Sequence, residues 1–415
     1  MTVRCPDCGV VLDARTSQST CTACGGLLAV THSPDARGAD LRALLDARAS
    51  TAVCCVGALA RSGVWRFREL VLDARDDEIV SHPEGNTPLL VRDAVAQYAG
   101  VDGLVLKHEG HNPTGSFKDR GMTVALTQAR RVGARAVACA STGNTSASLS
   151  AYASQAGIPS FVFVPAGRVA AGKLAQTVAY GARTLQIKGD FDDCLRLARD
   201  ASDTLGVYLV NSVNPFRIEG QKTIVLEMLQ QLEWNAPDWI ALPAGNLGNT
   251  SAFGKALAEA HEFGLIDRVP RLLAVQAAGA APFAQAYADH FAKRISVRAE
   301  TRATAIRIGD PASWDRAVRA IAATNGVVES VTDDEIFAAK AVVDRCGVGC
   351  EPASAASVAG VRALAARGMI RRDERVVAVL TGHLLKDPGS PDKGAEADAL
   401  TPDEALALLA AVVER

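Results

Sequence analysis

The stretch Asn112-Pro113-Thr114-Gly115-Ser116-Phe117-Lys118-Asp119-Arg120-Gly121 predicts a turn that leads directly into a helix. Ser116 is a suitable helix cap, which places Lys118 in the first helical turn. A cation is disfavoured at the positive end of a helix dipole. We therefore expect either that Asp119 offsets this charge or that the amine is neutral and nucleophilic. Taken alone, a lysine here is more often a solvated surface residue, so its interpretation depends on the loops that follow.

A second stretch, Pro243-Ala244-Gly245-Asn246-Leu247-Gly248-Asn249-Thr250, follows a predicted strand and leads into a predicted helix. Its glycines permit close approach of the backbone, and a helix N-terminus attracts anions. The stretch matches neither the dinucleotide pattern Gly-x-Gly-x-x-Gly nor the Walker pattern. It is therefore a candidate cradle for a single phosphate, with an ordinary tight turn as the alternative.

A third stretch, Ala140-Ser141-Thr142-Gly143-Asn144-Thr145-Ser146-Ala147-Ser148, also joins a strand to a helix. Its hydroxyl and amide groups suit a carboxylate, a phosphate or a phenolic oxygen. Helix capping by Ser141 or Thr142 explains one of these groups but not all of them. The last predicted strand ends at Leu380-Thr381-Gly382-His383, and ligands of α/β proteins bind at such carboxyl ends.

Composition favours a globular protein that acts on small molecules. The chain has 415 residues, of which 48% are apolar, and a formal net charge of -2. This length suits two domains and a small appendage. The balanced charge gives no reason to expect nucleic acid or a membrane as a partner. No apolar run approaches the ~20 residues of a membrane span, and a secretory signal is not evident, so we expect a cytoplasmic location.

Short β-rich runs alternate with longer amphipathic runs after a helical connector near residues 38–60, which predicts an α/β fold. The strand candidates are Leu104–Lys107, Ala136–Cys139, Ser160–Val164, Thr184–Ile187, Val207–Val210, Trp239–Leu242, Leu272–Val275 and Val376–Leu380. The main helix candidates are Ser116–Val132, Asn144–Gly157, Ile218–Leu232, Thr250–Phe263, Ser313–Thr324 and Ala353–Arg367. We expect a surface loop over 387–394 and a closing helix over Pro402–Val413.

Four of the ten cysteines, Cys5, Cys8, Cys21 and Cys24, form two Cys-x-x-Cys knuckles near the N-terminus. Residues 1–36 are too few to bury a core of their own, and four thiolates around Zn²⁺ would stabilise such a segment. A zinc ribbon is therefore predicted. The alternative is a degenerate ribbon with reduced thiols, because 12 residues between the knuckles are fewer than is common for this pattern.

The lysine stretch, Ser141-Thr142-Gly143-Asn144-Thr145, Gly245-Asn246-Leu247-Gly248-Asn249 and Thr381-Gly382-His383 together resemble the tryptophan-synthase-β family, the fold-type II pyridoxal-phosphate (PLP) enzymes. Within that family the chain is similar to the threonine synthases. Further shared stretches are Gly85–Leu89, Val210–Arg217, Gly220–Thr223, Ile306–Trp314 and Glu351–Ala356. The resemblance spans roughly residues 80–388, and some threonine synthases also carry an N-terminal Cys-x-x-Cys ribbon.

The resemblance implies a role for each matched residue. Lys118 would carry PLP through a Schiff base and shuttle protons, Asn144 would contact the 3′-oxygen, and Thr381 would face the pyridine nitrogen. The amides of the phosphate loop would hold the cofactor phosphate; these residues are Gly245, Asn246, Leu247, Gly248 and Asn249. The loop of residues 140–148, here called the hydroxyl loop, would receive the substrate carboxylate or phosphate through Ser141, Thr142 and Thr145. The distal substrate phosphate would lie near Asn211 and Arg217, and less securely near Lys107, with surface positions for the two cations as the lesser alternative.

The resemblance also implies two open twisted sheet domains covered by helices, beside the small ribbon. We expect a large PLP-binding domain over residues 37–111 and 214–415, and a smaller mobile α/β domain over 112–213. The implied reaction converts O-phospho-L-homoserine and water to L-threonine and phosphate by γ-elimination and β-hydration. A homodimer is expected.

One residue departs from the family pattern. Leu384 stands where the family usually has glycine after Thr-Gly-His, and it could either point into the core or reshape the pocket. A related PLP lyase or β-replacement enzyme therefore stays open as an alternative, such as a threonine dehydratase, a cysteate synthase or a specialised-metabolism paralogue. A catalytically silent ligand-binding protein is the remaining alternative.

Overall fold

The computed structural model describes residues 1–51, 59–141, 143–167, 171–189, 191–387 and 401–402. It contains three sheets. At the N-terminus, β1 (Thr2–Arg4) pairs antiparallel with both β2 (Val11–Leu12) and β3 (Ala29–Thr31). This small ribbon buries Val3 and Val30 against the rest of the chain and so shares the main hydrophobic core.

The largest sheet has six strands in the order β12-β11-β10-β13-β5-β4. They are β4 (Leu89–Val91), β5 (Gly103–His108), β10 (Trp239–Pro243), β11 (Arg271–Ala277), β12 (Val327–Val331) and β13 (Arg375–Leu380). Neighbouring strands are parallel except for β4, which pairs antiparallel with β5 at the edge. All five residues of β10 are buried, as expected for a parallel strand with helices on both faces.

The second sheet has four parallel strands in the order β8-β7-β6-β9. They are β6 (Val137–Ala140), β7 (Ser160–Pro165), β8 (Arg183–Ile187) and β9 (Tyr208–Leu209). These strands lie within the range predicted for a smaller domain, whose boundaries and mobility stay predictions.

Thirteen α-helices lie within the described residues. They are α1 (Gly38–Thr51), α2 (Asp93–Ala99), α3 (Lys118–Arg131), α4 (Asn144–Ala156), α5 (Ala171–Ala179), α6 (Phe191–Leu205), α7 (Pro215–Gln221), α8 (Thr223–Gln231), α9 (Gly248–Glu262), α10 (Pro282–Ala288), α11 (Trp314–Ala323), α12 (Asp333–Arg345) and α13 (Pro352–Ala366). The predicted fold class, α/β with two helix-covered sheets and an N-terminal ribbon, is confirmed.

Two local expectations need correction. The helix predicted over Ile218–Leu232 is two helices, α7 and α8, which meet at Lys222. Gly220 lies so close to α3 that a Cβ there would be 1.8 Å from the carbonyl oxygen of Arg120, and the hydroxyl of Thr223 donates to the carbonyl of Gly220. Ser116 does not cap α3, because its Oγ has no partner among the described residues.

The predicted closing helix over Pro402–Val413 and most of the predicted 387–394 loop lie outside the described residues. The same holds for the end of the helical connector, of which α1 is the described part. In the part of the chain that the structure describes, no helix has both the length and the apolar character needed to span a membrane.

Candidate active site

The two larger sheets direct the carboxyl ends of β6, β7, β10 and β13 toward one cavity of about 630 Å³. This is where parallel α/β sheets bind ligands. The cavity collects most of the residues selected from sequence: Lys118, Ser141, Asn144, Thr145, Asn211, Arg217, Gly245, Asn246, Leu247, Gly248, Asn249 and Thr381. Thr142 lies outside the described residues. Lys107 is described but does not line this cavity.

Lys118 is the first residue of α3 and lines the cavity wall. Burial, with a further contribution from the positive charge of Arg217, lowers the pKa of its ammonium group to about 7. Among the described residues, its Nζ makes no hydrogen bond or ion pair, and it lies 4.0 Å from the ring centre of Phe117. A substantial fraction of the lysine is thus a neutral amine at neutral pH, where an ordinary lysine is charged.

Asp119 does not neutralise Lys118 but organises the turn before it. Its carboxylate accepts hydrogen bonds from the main-chain N–H of Thr114 at 2.7 Å and from the Thr114 hydroxyl at 2.6 Å. The hydroxyl of Ser148 on α4 donates to the same carboxylate at 2.6 Å. Burial raises the pKa of Asp119 to about 6. The structure therefore does not show the expected offset of the Lys118 charge by Asp119.

The phosphate loop, residues 245–249, has the geometry of an anion site. Leu247 adopts a left-handed conformation with φ of 63° at the N-cap of α9, which turns the chain sharply into the helix. Within the described residues, the main-chain N–H groups of Asn246, Leu247, Gly248 and Asn249 have no hydrogen-bond acceptor. A Cβ at Gly245 would lie 3.0 Å from the Cα of Ile306, so this close packing favours glycine.

These features fit a PLP cofactor. Four unpaired amides at a helix N-terminus suit a phosphate dianion, and a neutral lysine amine is the group that forms a Schiff base with an aldehyde. Thr381 offers a hydroxyl at the carboxyl end of β13, the strand next to β10. Its Oγ1 lies 3.0 Å from the Oγ of Ser354. A neutral hydroxyl in this position leaves a pyridine nitrogen less firmly protonated than a carboxylate would.

A second candidate anion site lies in the same cavity. Arg217 is only 2% exposed, yet none of the described carboxylates forms an ion pair with it. Its Nη1 donates to the carbonyl of Val210 at 3.1 Å and its Nη2 to Oε1 of Gln221 at 3.2 Å, whereas its Nε has no partner. Burial lowers the pKa of the guanidinium to about 10. A buried cation without a counter-charge is costly, so this geometry favours binding of an external anion.

Asn211 and Ser212 border this second anion site. The side-chain amide of Asn211 donates to and accepts from the main chain of Ala140, each at 3.1 Å, and so fixes the start of the hydroxyl loop. The hydroxyl of Ser212 accepts from Nδ2 of Asn246 at 2.6 Å. Residues beside the second candidate anion site are therefore hydrogen-bonded to the hydroxyl loop and to the phosphate loop.

Gln221, for which the sequence predicts no specific role, connects the two candidate anion sites. Its Oε1 accepts from Arg217, and its Nε2 donates to Oδ1 of Asn249 at 2.8 Å. Both bonds are available because α7 carries positions 217 and 221 on one face, one helical turn apart. This spacing, together with the position of Gln221 in the shared stretch Gly220–Thr223, is the sequence signal that could have indicated the connection.

Glu351 is a second cavity residue without a predicted role. Its carboxylate accepts from Nδ2 of Asn144 at 3.0 and 3.2 Å and from the hydroxyl of Thr381 at 3.4 Å. Burial raises its pKa, and the neighbouring Asn144 and Lys118 act in the opposite direction. Glu351 therefore links two residues expected to contact PLP and supplies the cavity's buried carboxylate.

Lys107 belongs to a buried charge network instead of a substrate site. Its ammonium donates to Oε1 of Glu227 at 2.7 Å, to the carbonyl of Thr87 at 2.8 Å and to Oε1 of Gln231 at 2.7 Å. All three N–H donors of the Lys107 ammonium group therefore have an acceptor within the protein. Glu227 also pairs with Arg120 at 2.8 Å, so these charges support the interior beneath the cavity.

Leu384 does not line the cavity. It begins a short 3-10 helix, is 39% exposed, and covers Gly349, where an added Cβ would lie 2.6 Å from Leu384 Cδ2. His383 accepts a hydrogen bond on Nδ1 from the N–H of Leu385 at 3.2 Å and caps the same short helix. Neither the leucine nor the histidine lines the cavity that contains Lys118.

The four cysteines of the ribbon come together as a potential metal site. Their Sγ atoms all lie within 4.8 Å of one another. The Cys5–Cys24 and Cys8–Cys21 sulfur distances are 3.5 and 3.6 Å, close to the edge of about 3.8 Å that a tetrahedral Zn²⁺–thiolate site requires. The cluster fits a closed four-ligand metal site with no open coordination position.

Comparisons with known proteins agree with this geometry. The family described as pyridoxal-phosphate dependent enzyme matches residues 80–382. Threonine synthase of Methanosarcina acetivorans is 45% identical over 388 residues, covering 93% of this chain and 92% of the relative. Threonine synthase of Methanocaldococcus jannaschii is 43% identical over 398 residues, covering 95% of both chains.

A solved structure is similar in fold. The processed threonine deaminase isoform 2 of Solanum lycopersicum superposes with a TM-score of 0.64 at 19% identity, covering 86% of this chain and 93% of the other. At that identity the likeness supports the fold alone. Together with the sequence relatives, it shows that the chain belongs to the pyridoxal-phosphate dependent enzymes and, within them, to the threonine synthase family.

Proposed function

We propose that this chain converts O-phospho-L-homoserine and water to L-threonine and phosphate. The observation that carries the proposal is Arg217, a buried guanidinium without a counter-carboxylate that faces the same cavity as Lys118. The phosphate loop already supplies one anion site for the cofactor. A second one suits a substrate that brings its own phosphate.

When bound, PLP acts as an electron sink for the substrate carbons adjacent to the amino group. The chain's own residues would hold it: Lys118 covalently, the amides of residues 245–249 at its phosphate, Asn144 at its 3′-oxygen and Thr381 at its pyridine nitrogen. Thr381 donates to Glu351 and packs at 3.0 Å from Ser354, which fixes its hydroxyl.

Lys118 is proposed as the group that moves protons on the substrate. Its lowered pKa leaves a substantial neutral fraction at neutral pH, so Nζ can accept the proton of substrate Cα and return protons later. A Cβ proton is then removed as phosphate leaves Cγ, Cγ is protonated to the methyl group, and water adds at Cβ as Cα regains its proton, which balances the γ-elimination and β-hydration.

The remaining cavity residues are proposed to orient the substrate. Ser141 and Thr145 would hold its carboxylate, whereas Asn211 and Arg217 would hold its phosphate until that group leaves Cγ. Thr142 is retained in this set from sequence alone. A substrate held at its carboxylate and at its phosphate keeps Cγ in place relative to Lys118 up to the elimination step.

We also propose that the ribbon binds one structural Zn²⁺ through Cys5, Cys8, Cys21 and Cys24, that the protein is a homodimer, and that it acts in the cytoplasm. The sulfur geometry supports the metal. The dimer and the location rest on resemblance to the family.

The test compares Arg217→Gln with Arg307→Gln, an exposed cation that also lines the cavity. Removing Arg217 should lower kcat/KM for O-phosphohomoserine by roughly 100-fold, because a charge-assisted contact contributes about 2–3 kcal/mol. The visible absorption band of the lysine–cofactor Schiff base should persist. Arg307→Gln should change kcat/KM less than threefold.

Three outcomes would argue against the proposal. Equal activity of the two variants would remove Arg217 from substrate recognition. Turnover of L-threonine to a 2-oxo acid and ammonia, without action on the phosphorylated substrate, would favour the related lyases. Wild-type protein that binds PLP without any turnover would favour a silent binding protein.

A further inference from the structure

A second cavity of about 230 Å³ lies between the ribbon and the helices beneath it, and we call it the ribbon cavity. None of its lining residues lines the active-site cavity. Its walls are mostly apolar and come from four elements: the ribbon contributes Leu28, α7 contributes Ile218, α9 contributes Ala258 and α11 contributes Ala320.

Most charges around the ribbon cavity are compensated. Glu219 accepts from Lys222 at 2.6 Å and from His32 at 2.6 Å, and it also pairs with Lys255. Lys222 further contacts Glu259 at 2.5 Å. Two lysines therefore balance two carboxylates. His32 adds no charge at neutral pH, because burial lowers its pKa to about 4.

Arg316 is the lining cation that forms no ion pair with a described carboxylate. Its side chain is half-buried; Nη2 donates to the carbonyl of Leu28, whereas Nη1 is shielded from water and has no partner among the described residues. Glu219 and Asp7 lie near enough to attract the guanidinium, but Glu219 already pairs with Lys255, and Asp7 pairs with Arg319 at 3.6 Å. A guanidinium that is partly removed from water without a close counter-charge would be stabilised by an anion bound here.

The cavity limits what this anion can be. Its volume is below the roughly 300–1,000 Å³ of sites for drug-sized ligands, so the occupant is small. Apolar walls favour a hydrocarbon part over a bare inorganic ion. An amino acid would need an acceptor for its ammonium group, and the carboxylate in the lining, Glu219, already has three cationic or donor partners.

We propose that the ribbon cavity binds a small aliphatic monocarboxylate, with its carboxylate on Arg316 and its hydrocarbon chain between Leu28, Ile218 and Ala320. The site joins the ribbon to α7, which also carries Arg217, and to α9, which follows the phosphate loop. Ser251 in its wall donates to the carbonyl of Leu247 at 2.8 Å.

The test is isothermal titration calorimetry of the holoenzyme, carrying zinc and cofactor, with pentanoate as the probe. We expect saturable binding, at least tenfold weaker binding by Arg316→Gln, and a similar loss in Ala258→Leu. Ala258 is exposed, so leucine there fills the cavity without entering the core. Arg307→Gln at the active-site cavity is the matched control and should bind pentanoate as the wild type does.

Butylammonium, which has a similar chain and the opposite charge, should not bind. Three results would overturn the proposal: no saturable binding of pentanoate at millimolar concentration, equal binding of butylammonium, or loss of pentanoate binding in Arg307→Gln but not in Arg316→Gln. The last result would place the carboxylate in the active-site cavity.

Discussion

The main-chain N–H of Phe117 donates to the carbonyl oxygen of Thr381, with 3.0 Å between nitrogen and oxygen. The bond joins the residue before Lys118 to the residue proposed to face the pyridine nitrogen, although 264 positions separate them in sequence. The N–H of His383 donates to the carbonyl of Gly115 at 2.9 Å and extends this junction. The lysine is thus held by backbone contacts relative to the last strand of the large sheet.

The lowered pKa of Lys118 predicts how cofactor-free protein recaptures PLP. Only the neutral amine attacks the aldehyde, so the rate of Schiff-base formation should rise with pH and level off above a midpoint near 7. Stopped-flow absorbance at several pH values measures this midpoint. Because the carboxylate of Glu351 raises the lysine pKa, Glu351→Gln should move the midpoint to lower pH. A midpoint near that of an ordinary lysine would contradict the environment described here.

Gln221 should matter for both anion sites. Gln221→Leu removes one hydrogen bond to Arg217 and one to Asn249. Since a hydrogen bond to a charged group contributes about 1.5–3 kcal/mol, KM for O-phosphohomoserine should rise roughly tenfold or more. The dissociation constant of PLP, measured by fluorescence, should also rise. Gln97→Leu on the exposed face of α2 serves as the control, and unchanged values in both variants would exclude this role.

Glu227 should be a major contributor to stability. It pairs with Lys107 at 2.7 Å and with Arg120 at 2.8 Å in the interior. Glu227→Gln leaves Lys107 without its carboxylate partner and leaves Arg120 with Glu109 alone, and it should cost about 3–5 kcal/mol of unfolding free energy, measured by urea denaturation. Asp102→Asn, which breaks an exposed pair with Arg372, should cost less than about 1 kcal/mol. A similar decrease in unfolding free energy in the two variants would mean that the buried charge network contributes no more to stability than an exposed ion pair.

The ribbon should contain one zinc ion per chain. Metal analysis of purified protein should give this ratio, and Cys5→Ser should abolish it because four thiolates are needed for a closed site. Cys346→Ser, outside the cluster, should keep the metal. Loss of zinc should leave the Schiff-base absorption band in place, since no ribbon cysteine lines the active-site cavity. Full-length protein that folds without bound metal would support the degenerate-ribbon alternative.

Local sequence was sufficient for the parts of the site that lie within single loops. Lys118 at a helix start and the glycines of residues 245–249 are recognisable because turn and helix chemistry is local. Lys107 could not be placed in this way. Its partner Glu227 lies on α8, and only the packing of α8 against β5 shows that the lysine ammonium is fully used.

The roles of Gln221 and Glu351 could not be read from sequence for a related reason. Each residue acts through partners from distant segments, Asn249 in one case and Asn144 in the other. The break between α7 and α8 depends on the close approach of Gly220 to Arg120, which also requires the tertiary fold. Helical periodicity alone therefore predicts one continuous helix.

The most direct test of the central claim is the stoichiometry of products formed from O-phospho-L-homoserine by the holoenzyme. Phosphate and L-threonine should appear in equal amounts, and Lys118→Ala should form neither above background. Release of phosphate together with a 2-oxo acid and ammonia, or no release of phosphate at all, would contradict the account.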